Sequence, residues 1–170
     1  HTLLLDGGSG TLMRLVEAGV MLEDLDRVLY THLHVDHTGE LVPILFALKN
    51  PDLVRGKPLH VHGPPALGAL HRRMTEAYGH WIDAPPCGLT VHAWRDGEAD
   101  DLDGWQVLPR RVLHGADAHA LRVTAPSGAT VCYSGDTDEC DAIAELGQGA
   151  DLLVLECSHP DERKAAGHLA

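Results

Sequence analysis

Seven consecutive residues, Thr31-His32-Leu33-His34-Val35-Asp36-His37, set three imidazoles and a carboxylate directly behind the apolar run Val28-Leu29-Tyr30. Neutral imidazole and carboxylate are donors that zinc accepts, and manganese or iron suit the same set. The apolar run reads as a buried strand, and Thr38 to Asn50 has the apolar spacing of a helix with Pro43 tolerated near its start. The histidines therefore fall on a strand-to-helix turn, where alternate side chains point the same way. His32 and His34 can grip one ion together, while Asp36 and His37 turn toward a neighbouring position. The competing reading is chance clustering, since the chain holds 13 His in 170 residues. A carboxylate and three imidazoles on one turn favour a metal loop.

The elements that must position this loop alternate along the chain. Strands are expected at Thr2 to Leu5, Arg27 to Thr31, Leu59 to His62, Leu89 to Trp94, Gln106 to His114, Ala120 to Ala125, Ala129 to Ser134 and Leu152 to Glu156. Helices are expected at Leu12 to Ala18, Gly39 to Leu48, Ala66 to Tyr78, Cys140 to Leu146 and Asp161 to Ala166. Pro126-Ser127-Gly128 lies between two β-rich runs and predicts a hairpin turn. Strand-helix units mixed with hairpins imply a mixed α and β domain, with packed sheets and helices outside. A length of 170 residues suits one domain with a sizeable core.

Composition narrows the function classes. No apolar run is long enough to span a bilayer and no basic-then-apolar leader is present, so the sequence carries no signal for membrane insertion or secretion. Cys87, Cys132, Cys140 and Cys157 lack CxxC spacing, and Cys132 and Cys157 lie in strand-like runs. Buried free thiols in a cytoplasmic protein are expected. The formal net charge of −12 argues against a broad nucleic-acid platform, because lysine and arginine contacts to phosphate supply most non-specific affinity. The basic pairs Arg72-Arg73 and Arg110-Arg111 read as solvated faces.

The THxHxDH pattern resembles the signature of the metallo-β-lactamase-fold hydrolases, and further matches follow in order. Leu3-Leu4-Leu5-Asp6-Gly7-Gly8-Ser9-Gly10-Thr11 is similar to the family's early strand, which ends in an Asp before a glycine turn. Val112-Leu113-His114-Gly115, with Arg122-Val123 downstream, resembles its third-histidine segment, and Tyr133-Ser134-Gly135-Asp136-Thr137 its bridging-aspartate motif. Asp151 to Glu156 and Gly167-His168-Leu169 resemble the late strand and histidine loop of the branch containing ribonuclease Z, phosphodiesterase and arylsulfatase-like relatives. The resemblance implies a four-layer αββα sandwich. It also implies a site in which His32, His34 and His114 hold one metal, Asp36 and His37 hold part of a second, and Asp136 bridges them. His119 stands near His114 and competes for the third-histidine role, but the offset from Arg122 favours His114.

Gly7-Gly8-Ser9-Gly10 lacks the lysine of a phosphate loop and reads as a turn. The family's glycine motif often has Cys and Glu where Gly7 and Ser9 stand here. Asp6 is expected to accept a hydrogen bond from a ligand imidazole or from the metal loop's backbone. His60, His62, His71, His80 and His92 read as structural or surface residues.

Two zinc ions are expected, because metal coordination lowers the pKa of water to about 7 and neutralises charge on an attacked phosphoryl group. Asp36 or Asp136 orients the nucleophile, and His168, tuned by Glu156 or another carboxylate, is the candidate general acid. The competing reading of His168 is a solvated residue near the chain end. The expected function is zinc-dependent hydrolysis of a phosphodiester or related small ester. The alternatives are a lactone, thioester or sulfate-ester hydrolase of the same fold, or a non-catalytic metal-binding module. Transfer RNA and membranes are not expected partners, whereas a homodimer is allowed for. The resemblance further implies an opening strand, and a closing strand with a last metal ligand, outside this chain. His168 or His159 is the stand-in for that ligand.

Overall fold

Apolar runs in the first half of the chain form a parallel sheet in the order β1 (Thr2–Leu5), β2 (Leu25–Leu29), β3 (Leu59–Gly63), β4 (Leu89–Ala93). Parallel neighbours need crossovers. Here α1 (Thr11–Glu17) joins β1 to β2, α2 (Val35–Thr38) and α3 (Leu41–Ala47) join β2 to β3, and α4 (Leu67–Tyr78) joins β3 to β4. The computed structural model describes residues 1–53, 55–158 and 160–169. Its contacts group them into two units, His1–Ala93 and Trp94–Ala170.

In the first unit, Leu41, Ile44, Leu45 and Leu48 recur at helical spacing and face Leu25, Val28, Leu59, Val61 and Leu67 in one core. Each such fully buried side chain contributes about 1.5–3 kcal/mol of transfer free energy. On β3 the period of two sends Leu59 and Val61 into that core and leaves His60 and His62 on the other face. Strand β2 ends at Leu29, two residues before the expected end at Thr31. The Tyr30 N–H still reaches the His62 carbonyl at 2.8 Å, but the Thr31 N–H turns to the Asp6 carboxylate at 2.8 Å. That side chain takes the ladder's place.

The second unit is a sheet in the order β5 (Asp100–Leu102), β6 (Trp105–Arg111), β7 (His119–Thr124), β8 (Thr130–Tyr133), β9 (Leu152–Val154). Its pairs are antiparallel except β8–β9, which are parallel and joined through α5 (Asp141–Gly147). The expected hairpin at Pro126-Ser127-Gly128 is β7–β8, closed by Ala125 N–H to Ala129 O at 2.8 Å, with Gly128 at φ +92°. Ile143 and Leu146 of α5 pack with Val112, Ala118, Ala120 and Cys132. The Arg122 guanidinium donates to the carbonyls of Leu146 and Gln148, tying the end of α5 to β7.

Several elements differ from expectation. The β5 strand has little apolar pattern, yet Asp103-Gly104, at φ +57° and +88°, is the two-residue turn that right-handed strand twist selects. Strand β6 ends at Arg111 rather than His114: Val112 N–H still bonds the Ala118 carbonyl at 3.1 Å in ladder register, but His114 N–H folds back onto the Val112 carbonyl at 3.1 Å. The helix expected over Asp161 to Ala166 is a single 3-10 turn, Asp161–Arg163. Lys164, at ψ 126°, leaves helical geometry as its ammonium pairs with Asp138. Cys132 is buried as expected, but Cys157 is exposed, as are Leu152 to Val154 of β9 before it. Among the described residues, no helix is long and apolar enough to cross a membrane.

Candidate metal centre

The first ligand set is built by the turn between β2 and α3. His32 is buried, His34 and Asp36 are exposed, and His37 is partly buried. The ring centroids of His32 and His34 lie 4.6 Å apart, and those of His32 and His37 4.0 Å apart. Asp36 and His37 lie within α2, a one-turn helix that starts earlier than the expected Gly39 and sets the His37 ring against His32, nearer to it than His34 is. The Asp36 Oδ2 stands 3.8 Å from His37 Nε2.

Asp6 organises this set. Its carboxylate accepts from the Thr31 N–H, from the Thr31 hydroxyl and from His37 Nδ1, each at 2.8 Å. A carboxylate only accepts, so the proton on each of these bonds belongs to the partner. The Thr31 hydroxyl therefore spends its hydrogen on Asp6 and receives one from His32 Nδ1, 3.1 Å away. His32 and His37 are thus held in the tautomer that leaves Nε2 as the lone-pair nitrogen, a common arrangement behind metal-binding histidines. Asp6 thus bonds both the imidazole of the candidate ligand His37 and the loop backbone at Thr31.

The glycine turn after Asp6 is bound to the same loop. Gly7 N–H reaches the His37 carbonyl at 2.7 Å and Glu40 N–H the Gly7 carbonyl at 2.9 Å. A Cβ on Gly8 would lie 1.8 Å from the Asp36 carbonyl oxygen, so no larger residue fits there without moving the loop. The Glu40 carboxylate accepts from the N–H groups of Gly10 and Leu12 at the start of α1, where negative charge is favoured. The run is a turn that seats the histidine loop, as its lack of a phosphate-loop lysine suggests.

The second ligand set lies in the other unit, where His114, Asp136 and His168 have ligand atoms within 4.8 Å of one another. His114 Nδ1 donates to the Gly167 carbonyl at 2.8 Å, which leaves Nε2 facing Asp136 Oδ2 at 3.7 Å. Two lone-pair atoms facing each other at that distance suit a cation between them, so the donor chemistry fits a divalent metal. His119, the competitor for His114, is buried on β7 with Nδ1 on the Asp117 carbonyl at 2.9 Å, and burial holds its pKa below the usual histidine range. Among the described residues it joins no such group.

His168 is partly buried, with Nδ1 3.0 Å from Glu156 Oε1 and 3.8 Å from Asp136 Oδ2. Burial would raise the pKa of Glu156, but the Ser158 hydroxyl, the Thr137 N–H and His168 together hold it below the usual carboxylate range. The Ser134 hydroxyl accepts from the Glu156 N–H at 3.0 Å and fixes the backbone there. His159, the other stand-in ligand, lies outside the described residues. Thr31 and the Gly167 carbonyl were not anticipated as supports. Thr31 belongs to the THxHxDH pattern and was legible as its first letter, whereas a backbone carbonyl leaves no trace in a sequence.

Comparison with known proteins follows the same outline. The profile described as "Beta-lactamase superfamily domain" matches residues 1–170. An uncharacterized protein of Mycobacterium leprae is 36% identical over 176 residues, covering 99% of this chain and 59% of its own length. A ribonuclease Z of Mycobacterium bovis is 33% identical over 162 residues, covering 89% of this chain and 58% of its own length. The crystal structure of the metallo-β-lactamase fold protein YhfI from Bacillus subtilis superposes with a TM-score of 0.80 at 24% identity, over 98% of this chain and 64% of that one. The chain spans about three-fifths of the length of these curated relatives.

Proposed function

The chain belongs to the beta-lactamase superfamily domain family and has the metallo-β-lactamase fold, and from that premise we propose that it is a zinc-dependent hydrolase of a phosphodiester or related small ester. The observation that carries the reading is the convergence of His114 Nε2, Asp136 and a Glu156-paired His168 in one unit. A closed structural zinc site needs neither a bridging carboxylate nor an open coordination position, so the carboxylates Asp36 and Asp136 favour catalysis. The similarity to a ribonuclease Z supports a phosphodiester as the bond cleaved.

In this reading His32, His34, Asp36 and His37 form one ligand set, and His114 and Asp136 form another. It is the resemblance to the family that assigns both sets to a dinuclear centre. When bound, zinc supplies Lewis-acid polarisation of the attacked group and a nucleophilic water at neutral pH. The chain's own residues do the rest. Asp6 and the Gly167 carbonyl fix the tautomers of His37 and His114, so their Nε2 atoms stay available. Asp36 or Asp136 orients the water by accepting its hydrogen. His168, steadied by the Glu156 carboxylate 3.0 Å away, is the group placed to donate a proton to the leaving oxygen.

The test is elemental analysis combined with a substrate panel of bis-aryl phosphodiester, aryl sulfate, lactone and thioester. The parent chain should carry zinc and prefer the phosphodiester. The double variant His32→Ala/His34→Ala should lose both zinc and turnover while keeping its circular dichroism. Full metal content in that variant, or preference for another ester class, would overturn the assignment.

A further inference from the structure

We propose that Asp138 is a positioning residue: its carboxylate clasps the segment 164–168 and thereby sets the orientation of His114 and His168. What those two imidazoles then do rests on the hydrolase reading above.

Asp138 stands where three parts of the second unit meet. Its N–H bonds the Leu113 carbonyl at 2.9 Å in an isolated antiparallel bridge, and Leu113 N–H returns to the Thr137 hydroxyl at 3.3 Å. These bonds pin the turn carrying Asp136 to the segment carrying His114. From that anchored position the side chain reaches outward. Its Oδ1 is 2.6 Å from the Lys164 ammonium, and its Oδ2 accepts a long bond from the Gly167 N–H at 3.4 Å. Oδ1 also accepts from the Glu139 N–H at 2.8 Å. With both oxygens committed to the chain, Asp138 belongs to none of the groups able to hold a metal among the described residues, unlike Asp136 two positions earlier.

The clasped segment delivers two contacts to the site. The Gly167 carbonyl receives the His114 Nδ1 proton at 2.8 Å, and His168 places Nδ1 3.0 Å from Glu156. Gly167 must be glycine here, because its φ of +86° suits no β-carbon and such an atom would sit 3.3 Å from His114 Nδ1. Beyond Arg163 the described residues form no helix or strand, so few backbone bonds order this stretch. One such bond is His168 N–H to the Ala165 carbonyl at 3.2 Å. An exposed ion pair adds little to a rigid element. On a segment with so few restraints it decides how often the segment opens.

The experiment compares Asp138→Ala, Lys164→Ala and the conservative Asp138→Glu with the parent, all metal-free, by hydrogen exchange. Exchange over 164–169 should quicken about 2- to 5-fold in the two alanine variants, the range of an exposed ion pair, and return toward the parent in Asp138→Glu. Peptides from residues 1–93 should not change. Tautomer-sensitive nitrogen shifts of His114, read at a fixed pH where the ring is neutral, should show loss of the Nδ1–H form in both alanine variants. Unaltered exchange over 164–169 in Lys164→Ala would overturn the clasp. Quickened exchange with unaltered His114 shifts would overturn the positioning role. Neither readout needs turnover, so a parent chain inactive on every ester would sink the hydrolase reading and leave this one to stand or fall separately.

Discussion

At the residue scale, Asp6 accounts for most of the order in the first ligand set. It sits at φ +56°, a left-handed conformation that Asp tolerates better than most residues, and this turns its carboxylate back under Thr31 and His37. Removing it leaves the buried Thr31 N–H without its acceptor and frees His37 to change tautomer. Asp6→Ala should therefore weaken zinc binding about 10- to 100-fold, the usual cost of losing a group that orients a ligand. Competition with a chromogenic chelator reads this directly. Parent-like affinity in a folded variant would show that the Asp6 bonds serve the turn alone.

At the element scale, the parallel sheet carries its own pH response. The register sets His62 opposite His92 and Arg27 opposite His60 on adjacent strands. His62 is 3% exposed, stacks on His92 at 4.4 Å and lies 3.2 Å from the Arg27 guanidinium. Burial first, then His92, Arg27 and His60, push its pKa down to about 3. The unfolded chain takes up this proton near pH 6.5 and the folded chain does not. The stability is therefore fully present above about pH 6.5 and is lost as pH falls toward about 3, by up to about 1.4 kcal/mol per pH unit. His71 and His119, whose pKa values burial also lowers, add to the same slope. Thermal melts of His62→Asn should depend less steeply on pH between about 6 and 4 than the parent. An identical slope would show that His62 is protonated in the folded sheet.

At the scale of the whole molecule, charge and chain path bear on substrate choice. The net charge is −12, and the β7–β8 hairpin closes through the short turn Pro126-Ser127-Gly128. A large polyanion gains affinity chiefly from phosphate contacts to Lys and Arg. This chain should therefore cleave precursor transfer RNA poorly at physiological salt while turning over a small bis-aryl phosphodiester. Efficient, site-specific cleavage in a gel assay would overturn that expectation.

The candidate donor residues, their order and the turn that carries them were legible in the sequence, because donor chemistry and local spacing within THLHVDH are properties of neighbouring residues. So were the β7–β8 hairpin and the core face of α3, where periodicity of two and of about 3.6 needs no distant partner. The β5–β6 turn was equally local, in Asp103-Gly104, but a three-residue strand around it has too short a pattern to read. The offset from Arg122 already favoured His114 over His119, but their different surroundings are a matter of tertiary structure. Both are histidines near one glycine, and they differ in that Gly167, 53 positions away, offers its carbonyl to His114, while His119 turns onto β7 and is buried. It also decided how far each element runs, since β2 ends where the Asp6 side chain takes the Thr31 N–H, and the last expected helix unwinds where Lys164 pairs with Asp138. Such contacts join residues far apart in the chain, and no local pattern encodes which of several equivalent donors a distant acceptor will meet.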